Sequence, residues 1–422
     1  MMKPAPGLFV AFRYLFSRDP EGGRYLRGAA IGIALSLIPI VVTLIVADGM
    51  IRGVIDRYIE LGTSHLQARN YIKNNDLETA QALLNSVEGL RGAYRERQSM
   101  GVIVGNGGRT GATIRAVDPG FWEDAGGRVY LTVIDGDMRL ETDREILLGR
   151  ELAATINAKI GDTVRIMTIR VTEDGRSIPR LTPFTVKGVI SSGYQELDAL
   201  WCIMTYTAGE LALSSELSTA HLLIKINDPY KDADAYVVLL ERLLGRDFWV
   251  FTWKDLMSTQ YSSYESTRQM LLFIMALIVM VAAVNVSSAT SMLVVEHQRD
   301  LAIFKAGGAS PTFTSRLFLW GAFFTGLVGS IIGISLGLLV GVNINGCIQG
   351  IEAVLNFFTG LFHGEAIKIL DPGFYLEVIP IIIDWGALAL IGVFTILSSM
   401  LASWIPAYRA GRTKPIEILR KY

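Results

Sequence analysis

The sequence has few of the residues on which catalytic and metal sites depend. Its 422 residues include only two cysteines, Cys202 and Cys347, which excludes a disulfide scaffold and a cysteine-rich metal site. The four histidines are scattered, and no His-Glu-x-x-His motif occurs. There is no Gly-Lys pair in the chain, so it has no Walker A loop with which to bind ATP itself.

Charge is also scarce, and it is balanced. Charged residues make up 19% of the chain and the formal net charge is −1, which gives no reason to expect a nucleic-acid partner. Hydrophobic residues make up 51%, and the mean hydropathy is +0.38. This composition is too apolar for an ordinary soluble protein and indicates a membrane protein.

Four apolar runs are long enough to cross a bilayer, which takes about 20 residues. We predict transmembrane helices at 28–48, 268–295, 311–345 and 385–405. None has a charge in its middle, so the sequence gives no sign of an ion or proton path. The first run could be mistaken for a secretion signal, but it is long for one and no Ala-x-Ala site follows it, so we expect it to be retained.

Lysine and arginine near the span ends predict the orientation. The segments 1–27 and 406–422 are rich in both residues, and the loop between the second and third spans carries Arg299, Lys305 and Arg316. The segment 346–384, in contrast, holds only Lys368 against five acidic residues. We therefore expect both termini and the 296–310 loop to be cytoplasmic, and the 346–384 segment to be external.

The long segment between the first two spans, 49–267, is predicted to be an external folded domain. Parts of it show strand-like alternation and β-branched enrichment, and other parts show apolar residues at three- and four-residue spacing. The expected class is therefore a four-helix membrane protein with a large α+β extracytoplasmic domain inserted between helices 1 and 2. The predicted strands are 163–171, 183–190 and 220–226, and the predicted helices are 77–87 and 235–244.

The N-terminal 27 residues contain an amphipathic pattern. Leu8, Phe9, Phe12, Leu15 and Phe16 share one helical face, which predicts a helix lying in the membrane interface before the first span. The alternative is a flank that only orients the span.

The loop at 296–310, "EHQRDLAIFKAGGAS", has the pattern of a short helix. Glu296, Arg299 and Asp300 are charged residues at its start. Leu301, Ile303 and Phe304 are expected to offer an apolar side, with Leu301 and Phe304, three residues apart, as its anchor. Lys305 is expected to be a peripheral charge.

The end of this loop carries turn and cap signals. Gly307 or Gly308 can supply the left-handed residue that ends a helix, and Ser310 with Pro311 suits the start of the next one. A helix this short cannot bury its apolar side alone, so a partner protein is one interpretation. An ordinary connecting loop on the inner membrane surface is the other.

Several segments resemble known permeases. Residues 296–311 resemble the coupling segment of FtsX/MacB-like ABC-transporter permeases, and "WIPAYRAGRTKPIEILR" (404–420) resembles their terminal motif. The lipoprotein-releasing (LolC/LolE) permease family within that group is similar in three further places, at 7–18, 145–166 and 371–385. One departure is Gly307, where the family usually has a larger residue.

This resemblance implies a permease subunit of the cell inner membrane. Such a subunit is not an enzyme and needs no cofactor, because a separate ATPase hydrolyses the ATP. A second permease, identical or paralogous, completes the pair. The ATPases push the coupling helix, and motion passes along the first two spans to the external domain, a mechanism called mechanotransmission. Lipoprotein cargo is thereby handed to a periplasmic chaperone. The residues implied in ATPase coupling are Glu296, Arg299, Asp300, Leu301, Phe304, Lys305, Gly308 and Ala309.

The third predicted span contains a regular glycine repeat. Gly329, Gly333, Gly337 and Gly341 recur every four residues, which makes one flat face and allows close approach of another helix. That helix can belong to this subunit or to another, and the sequence leaves both open.

Residues 169–186, "IRVTEDGRSIPRLTPFTV", are predicted to form a hairpin, because Asp174-Gly175 is a turn signal. The resemblance implies that a hairpin here can hook the chaperone in one of the two paralogues. A plain solvated hairpin is the alternative. The candidate contact residues are Arg170, Arg176, Ile178, Pro179 and Arg180.

Other functions remain open at this point. A sister permease of the same architecture could serve efflux, peptide defence or control of cell-wall hydrolases. A membrane-anchored sensor or scaffold without a transport cycle belongs to a different class, and the coupling segment argues against it.

Overall fold

The computed structural model describes residues 24–70, 77–171, 176–361, 369, 376 and 378–412. The chain divides into two compact units. The helical unit comprises the described parts of 1–50, 264–361 and 379–422, and the sheet unit comprises those of 51–263 and 362–378. The apolar face expected at residues 8–16 lies outside the described residues.

The helices and strands are numbered in chain order. The helices are α1 Arg24–Arg57, α2 Leu77–Asn85, α3 Gly120–Glu123, α4 Ala125–Arg128, α5 Arg150–Thr155, α6 Gln195–Asp198, α7 Tyr206–Ala212, α8 Ala233–Leu244, α9 Trp253–Leu256, α10 Ser258–Glu296, α11 Gln298–Ala306, α12 Pro311–Val342, α13 Ile344–Leu361, α14 Trp385–Ala402 and α15 Trp404–Arg412, with a π-helical turn at Tyr58–Gly62. The strands are β1 Leu66–Asn70, β2 Leu90–Val104, β3 Arg109–Val117, β4 Thr132–Gly136, β5 Glu145–Gly149, β6 Thr163–Val171, β7 Ser177–Ser191, β8 Trp201–Thr205, β9 Thr219–Ile226 and β10 Phe248–Thr252.

Four helical stretches are long and apolar enough to cross a membrane. They are Tyr25–Gly62, Ser258–Glu296, Pro311–Val342 and Trp385–Arg412. The second has 39 residues, which at 1.5 Å per residue is about 58 Å long. A bilayer core is only about 30 Å thick. Helices α1 and α10 therefore run well beyond the predicted spans at 28–48 and 268–295.

The glycine repeat of α12 packs against α1 of the same chain. A Cβ added at Gly333 would lie 2.8 Å from the Cβ of Leu37, and one added at Gly337 would lie 2.7 Å from the Cβ of Val41. Gly329 and Gly341 meet Ile33 and Ile45 in the same way, at 2.8 and 2.5 Å. Only glycine permits helix axes to come this close, so this face is used within the subunit.

A helix that the sequence reasoning did not predict follows the third long helix. The chain turns at Asn343 and continues as α13. The side chain of Asn345 then bonds the backbone of Ile379 in both directions, donating to its carbonyl oxygen at 3.0 Å and accepting from its N–H at 3.1 Å. The 346–384 segment is thus partly helical.

The insert between the first two long helices is a mixed sheet with covering helices. Within the described residues, ten strands form one sheet in the order β10-β1-β9-β2-β3-β8-β5-β7-β4, with β6 paired to β2 and β7. The pairs β3/β8 and β5/β7 are parallel and the others are antiparallel. The predicted strands fall within β6, β7 and β9, and the predicted helices fall on α2 and α8. The expected mixed insert is confirmed.

Both faces of this sheet are packed. One face meets α5 and α7 around Ile114 and Ile166. The other forms a second core around Leu147, Trp201 and Ile203. Each fully buried aliphatic side chain contributes about 1.5–3 kcal/mol. The sheet unit therefore has cores of its own.

Candidate functional site

The 296–310 segment forms a short, sharply bounded helix. Helix α10 ends at Glu296, the chain turns at His297, and α11 runs for nine residues from Gln298 to Ala306. After Ala306, Gly308 donates to the carbonyl of Lys305 at 3.0 Å and Ala309 donates to that of Phe304 at 3.0 Å. These two bonds define a Schellman motif, which satisfies the last carbonyls of the helix.

The structure distinguishes the two adjacent glycines. Gly308 has φ +93°, the left-handed conformation that the motif requires. Gly307 has φ −78°, which any residue can adopt. The next helix then begins where the sequence predicted, because the Oγ of Ser310 accepts from the N–H of Phe313 at 3.1 Å and Pro311 occupies the first turn.

The predicted apolar side of α11 is divided between two faces. Leu301 is only 4% exposed and packs in a cluster with residues of other elements of the helical unit, and Ala302 is fully buried. Phe304 is 45% exposed, beside the exposed Ile303. Leu301 therefore packs inside the helical unit, while Phe304 keeps nearly half of its surface exposed. That the two residues form one docking anchor stays a prediction. The other members of the buried cluster are Leu26, Leu293, Phe318, Ala407 and Ala410.

Lys305 is not a peripheral charge. Its Nζ donates to the carbonyl oxygens of Ala410 and Gly411, at 3.0 and 2.9 Å. These carbonyls lie at the end of α15, where a cation is favoured by the helix dipole. Partial burial lowers the pKa of Lys305. The ammonium group therefore holds α11 to α15.

Charged residues lie around the junction of α10 and α11. Glu296 and Arg299 are exposed. The Nδ1 atom of His297 lies 3.0 Å from the Oδ2 atom of Asp300, within hydrogen-bond distance. Ala309 lies in the turn and is half-buried. The outward surface of α11 thus combines Ile303 and Phe304 with charges at one end.

A charged cluster ties three long helices at the other end of the helical unit. Arg268 of α10 donates from Nε to Asp48 of α1 at 2.8 Å and from Nη2 to Asp384 at 2.6 Å. Asp384 also caps α14 by accepting from the N–H of Ala387 at 3.0 Å. One arginine therefore joins α1, α10 and the start of α14.

In the sheet unit, the π-helical end of the first long helix is held by a buried arginine. Arg115 of β3 donates to the carbonyl of Leu61 at 2.6 Å and to that of Gly62 at 3.1 Å. Its Nε donates to Glu96 at 2.5 Å, and His221 contacts the other oxygen of Glu96 at 2.9 Å. Burial opposes ionisation of Glu96, but Arg115 and His221 outweigh it and hold the pKa of Glu96 at about 2.

A second charged group fixes the same turn. Lys225 is completely buried and donates to Asp124 at 2.9 Å and to Glu60 at 3.2 Å. Arg91 also pairs with both carboxylates. The π-helical turn is therefore fixed to the sheet in two ways: Arg115 donates hydrogen bonds to its backbone carbonyls, and Glu60 forms ion pairs with Lys225 and Arg91.

The predicted hairpin at 169–186 is formed by β6 and β7, which pair antiparallel with Arg170 opposite Ile178 and Ile169 opposite Pro179. Ile178 is half exposed, and Arg180 donates to the carbonyl of Leu211 at 2.9 Å. Arg176 is exposed next to the tip. The turn signal at Asp174-Gly175 lies outside the described residues.

Comparisons with known proteins agree with this architecture. The family model of the FtsX-like permease C-terminal domain matches residues 272–415, which contain α11, α12 and α14. The model of the MacB-like periplasmic core domain matches residues 28–237, which contain α1 and most of the sheet unit.

Individual relatives agree as well. A lipoprotein-releasing system transmembrane protein LolC of Neisseria meningitidis serogroup B is 26% identical, with 98% of each chain covered. The LolC protein of Xylella fastidiosa is 25% identical over 97% of this chain and 98% of its own. The LolE protein of Haemophilus influenzae is 24% identical over 67% of this chain and 66% of its own.

The two family models, in this order around four long apolar helices, define the class as an FtsX-like ABC-transporter permease. Within that class, the chain belongs to the lipoprotein-releasing (LolC/LolE) permease family.

Proposed function

We propose that this chain is the permease subunit of an ABC transporter that releases lipoproteins from the inner membrane by mechanotransmission. Membership of the lipoprotein-releasing family supports the transport class and the cargo class. The observation that carries the mechanism is the geometry of α11, a nine-residue helix with one buried and one outward face.

The outward face of α11 is the proposed contact with a separate ATPase. The chain has no Walker A loop, so ATP hydrolysis needs another subunit. Phe304 and Ile303 supply an apolar anchor of the kind that carries most of the energy of an interface. Glu296, Arg299 and Asp300 orient the contact from its rim. The Schellman turn at Gly308 and Ala309 keeps the helix end in place.

The buried face of α11 explains how a push would be passed on. Leu301 is packed among side chains of α10, α12 and α15, and Lys305 donates hydrogen bonds to the last carbonyls of α15. Because protein interiors are close-packed, α11 cannot move without its neighbours. Displacement of α11 would therefore also displace α10, α12 and α15.

The long helices are the proposed transmission elements. Helices α1 and α10 exceed the thickness of a bilayer, and the π-helical end of the first is fixed in the sheet by Arg115 and Lys225. In this proposal, motion of α1 passes into the π-helical turn and from there into the sheet. In this proposal the sheet unit is periplasmic, both termini are cytoplasmic, and a second permease subunit of the same family completes the transporter.

The β6/β7 hairpin is the proposed contact with a periplasmic chaperone. Its half-exposed Ile178 and the arginines around it would form the contact surface, with Arg180 anchored to Leu211. Crosslinking at position 178 to a chaperone would support this contact, and unchanged lipoprotein release after deletion of the hairpin would remove it.

The decisive experiment concerns Phe304. Phe304→Asp should detach the ATPase or lower its co-purification by roughly 30-fold, because a central apolar anchor is worth about 2 kcal/mol or more. Arg299→Gln, an exposed charge on the same helix, should have a much smaller effect. The measurements are ATPase co-purification and transport-linked ATP hydrolysis at equal membrane levels. If Phe304→Asp inserts normally and keeps both, α11 is not the coupling element.

A further inference from the structure

Helix α15 has two chemically distinct faces. Its buried face is made of small residues and packs on α12, where Gly411 is so close that an added Cβ would lie 2.2 Å from the Oγ of Ser315. Its other face is large and exposed, with Trp404 59% and Tyr408 47% exposed. The exposed face, called here the α15 outer face, consists of Trp404, Ile405, Tyr408, Arg409 and Arg412.

The position of α15 along the chain places this face at the edge of the membrane. Helix α14 has 18 residues, about 27 Å, which is close to the thickness of a bilayer core. The exposed residues Trp385 and Trp404 bracket it, one at its start and one just past its end. Tryptophans at both ends of a span are typical of the two membrane interfaces. Helix α15 therefore begins where the hydrocarbon ends.

The charge of the α15 outer face suits an anionic surface. Arg412 lies over the ring of Tyr408, with its guanidinium carbon 4.5 Å from the ring centroid. The sequence from Trp404 onward contains Arg409, Arg412, Lys414, Arg420 and Lys421 against the single acidic residue Glu417. Arginine binds phosphate oxygens in a fixed, bidentate geometry.

We propose that the α15 outer face is a docking surface for anionic phospholipids. Trp404, Ile405 and Tyr408 lie among the lipids at the interface, and Arg409 and Arg412 bind the phosphate of the headgroups. This proposal rests on the proposed function in one respect: the leaflet is the cytoplasmic one because the proposed topology places α15 on that side. The ATPase is the other occupant that this side of the membrane offers. The continuity of α15 with a span and its basic, aromatic composition favour lipid.

This surface is directly connected to the coupling helix. The carbonyls of Ala410 and Gly411 that receive Lys305 belong to α15, and Ala407 and Ala410 pack against the cluster that buries Leu301. Lipid bound to the outer face of α15 would therefore restrict the motion of α15, the helix against which α11 packs. The lipid surface would be part of the coupling machinery.

The test uses the full chain alone, in nanodiscs of phosphatidylcholine in which one quarter of the lipid is brominated. Bromine quenches nearby tryptophan, and the difference between the unaltered chain and Trp404→Phe isolates the signal of Trp404. An arginine near a membrane surface enriches anionic lipid about fivefold. Brominated phosphatidylglycerol should therefore quench Trp404 at least about twofold more than brominated phosphatidylcholine does.

Three variants give the result its meaning. Arg409→Gln with Arg412→Gln should abolish the preference for phosphatidylglycerol, and Arg409→Lys with Arg412→Lys should retain it. Arg316→Gln removes an exposed arginine at the nearby end of α12 and should leave the preference unchanged.

Two results would overturn the proposal. Equal quenching by both lipids would mean contact without headgroup selection. Absence of Trp404 quenching, with ATPase binding lost in the double glutamine variant, would assign the face to the ATPase. Neither ATPase nor cargo is present in the quenching measurement, so its failure is separate from a failure of the lipoprotein-release proposal.

Discussion

The two units of this protein bury polar groups in different ways. In the described residues of the helical unit, the buried polar side chains are serines and threonines. Thr325 and Thr395, for example, donate to the carbonyls of Gly321 and Ile391 four residues earlier, at 2.9 and 2.7 Å. The sheet unit instead buries Glu96, Arg115 and Lys225 as ion pairs across elements.

The difference fits the environments proposed for the two units, lipid around the helices and water around the sheet. A hydroxyl bonded to its own helix is satisfied before the helix packs, which suits a segment inserted into lipid. Buried ion pairs are satisfied only when the fold is complete. The stability of the sheet unit therefore depends on every residue of each pair, because loss of one leaves the other as an unpaired buried charge. The helical unit is held by close apolar packing, and the sheet unit is held at its critical turn by charge.

The largest effect should come from breaking the charge cluster. Arg115→Ala leaves Glu96 buried without its main partner and frees the carbonyls of Leu61 and Gly62. The expected loss of unfolding free energy is about 3–5 kcal/mol. Thermal unfolding of the full chain in detergent measures it. Arg109→Ala, an exposed arginine on the same strand, is the control and should change little.

The pH dependence of the sheet unit should sharpen this result. The pKa of Glu96 is about 2 in the fold, below its usual 4.5, so its stabilisation is fully present above about pH 4.5 and is lost as the pH falls towards 2. The difference in melting temperature between the unaltered chain and Glu96→Gln should shrink over that window. A difference that stays constant would show that Glu96 does not titrate there.

A smaller effect is expected in the helical unit, from packing rather than charge. Gly333→Ala places a Cβ 2.8 Å from that of Leu37, and such overpacking costs about 1–3 kcal/mol. Gly350→Ala in α13 meets nothing within 4 Å and should instead stabilise its helix by about 0.5–1 kcal/mol. Melting temperatures of the two variants should move in opposite directions. Movement in the same direction would contradict the close α1–α12 contact.

The smallest effect should separate the two glycines after α11. Gly308→Ala forces a side chain into φ +93°, at a cost of about 1–2 kcal/mol. Position 307 has φ −78°, and a Cβ there would make only ordinary van der Waals contacts, at 3.5 Å from the carbonyl oxygens of Ile303 and Phe304, so Gly307→Ala should be neutral. The readout is ATP hydrolysis with the ATPase bound. Equal behaviour of the two variants would mean that the helix end does not matter for coupling.

The parts of the structure that were predictable from sequence depend on local signals. The four long helices follow from apolar runs, the turn after α11 follows from Gly308 and Ser310, and the hairpin arms follow from strand patterns on both sides of a turn signal. Each of these features is encoded within a few residues, and no distant partner is needed to read it.

The missed features depend on contacts far apart in sequence. Arg268 meets Asp48 and Asp384, and Arg115 meets Leu61, with no local pattern that marks either arginine. The burial of Leu301 has the same cause, since it packs with Ala407 and Ala410 of α15, about a hundred residues away. The wide spacing of these partners explains why periodicity could not identify them.

The pairing of β1 has a consequence for how the protein is made. Leu66 of β1 lies between Ile224 of β9 and Thr252 of β10, so the first strand of the insert is completed by its last. A strand with both edges open cannot hold its register, and contacts this distant form slowly. The sheet therefore cannot close until the whole insert has emerged from the ribosome and Ser258 begins α10. Until then an incomplete sheet, with unpaired strand edges, is exposed to aggregation and proteolysis.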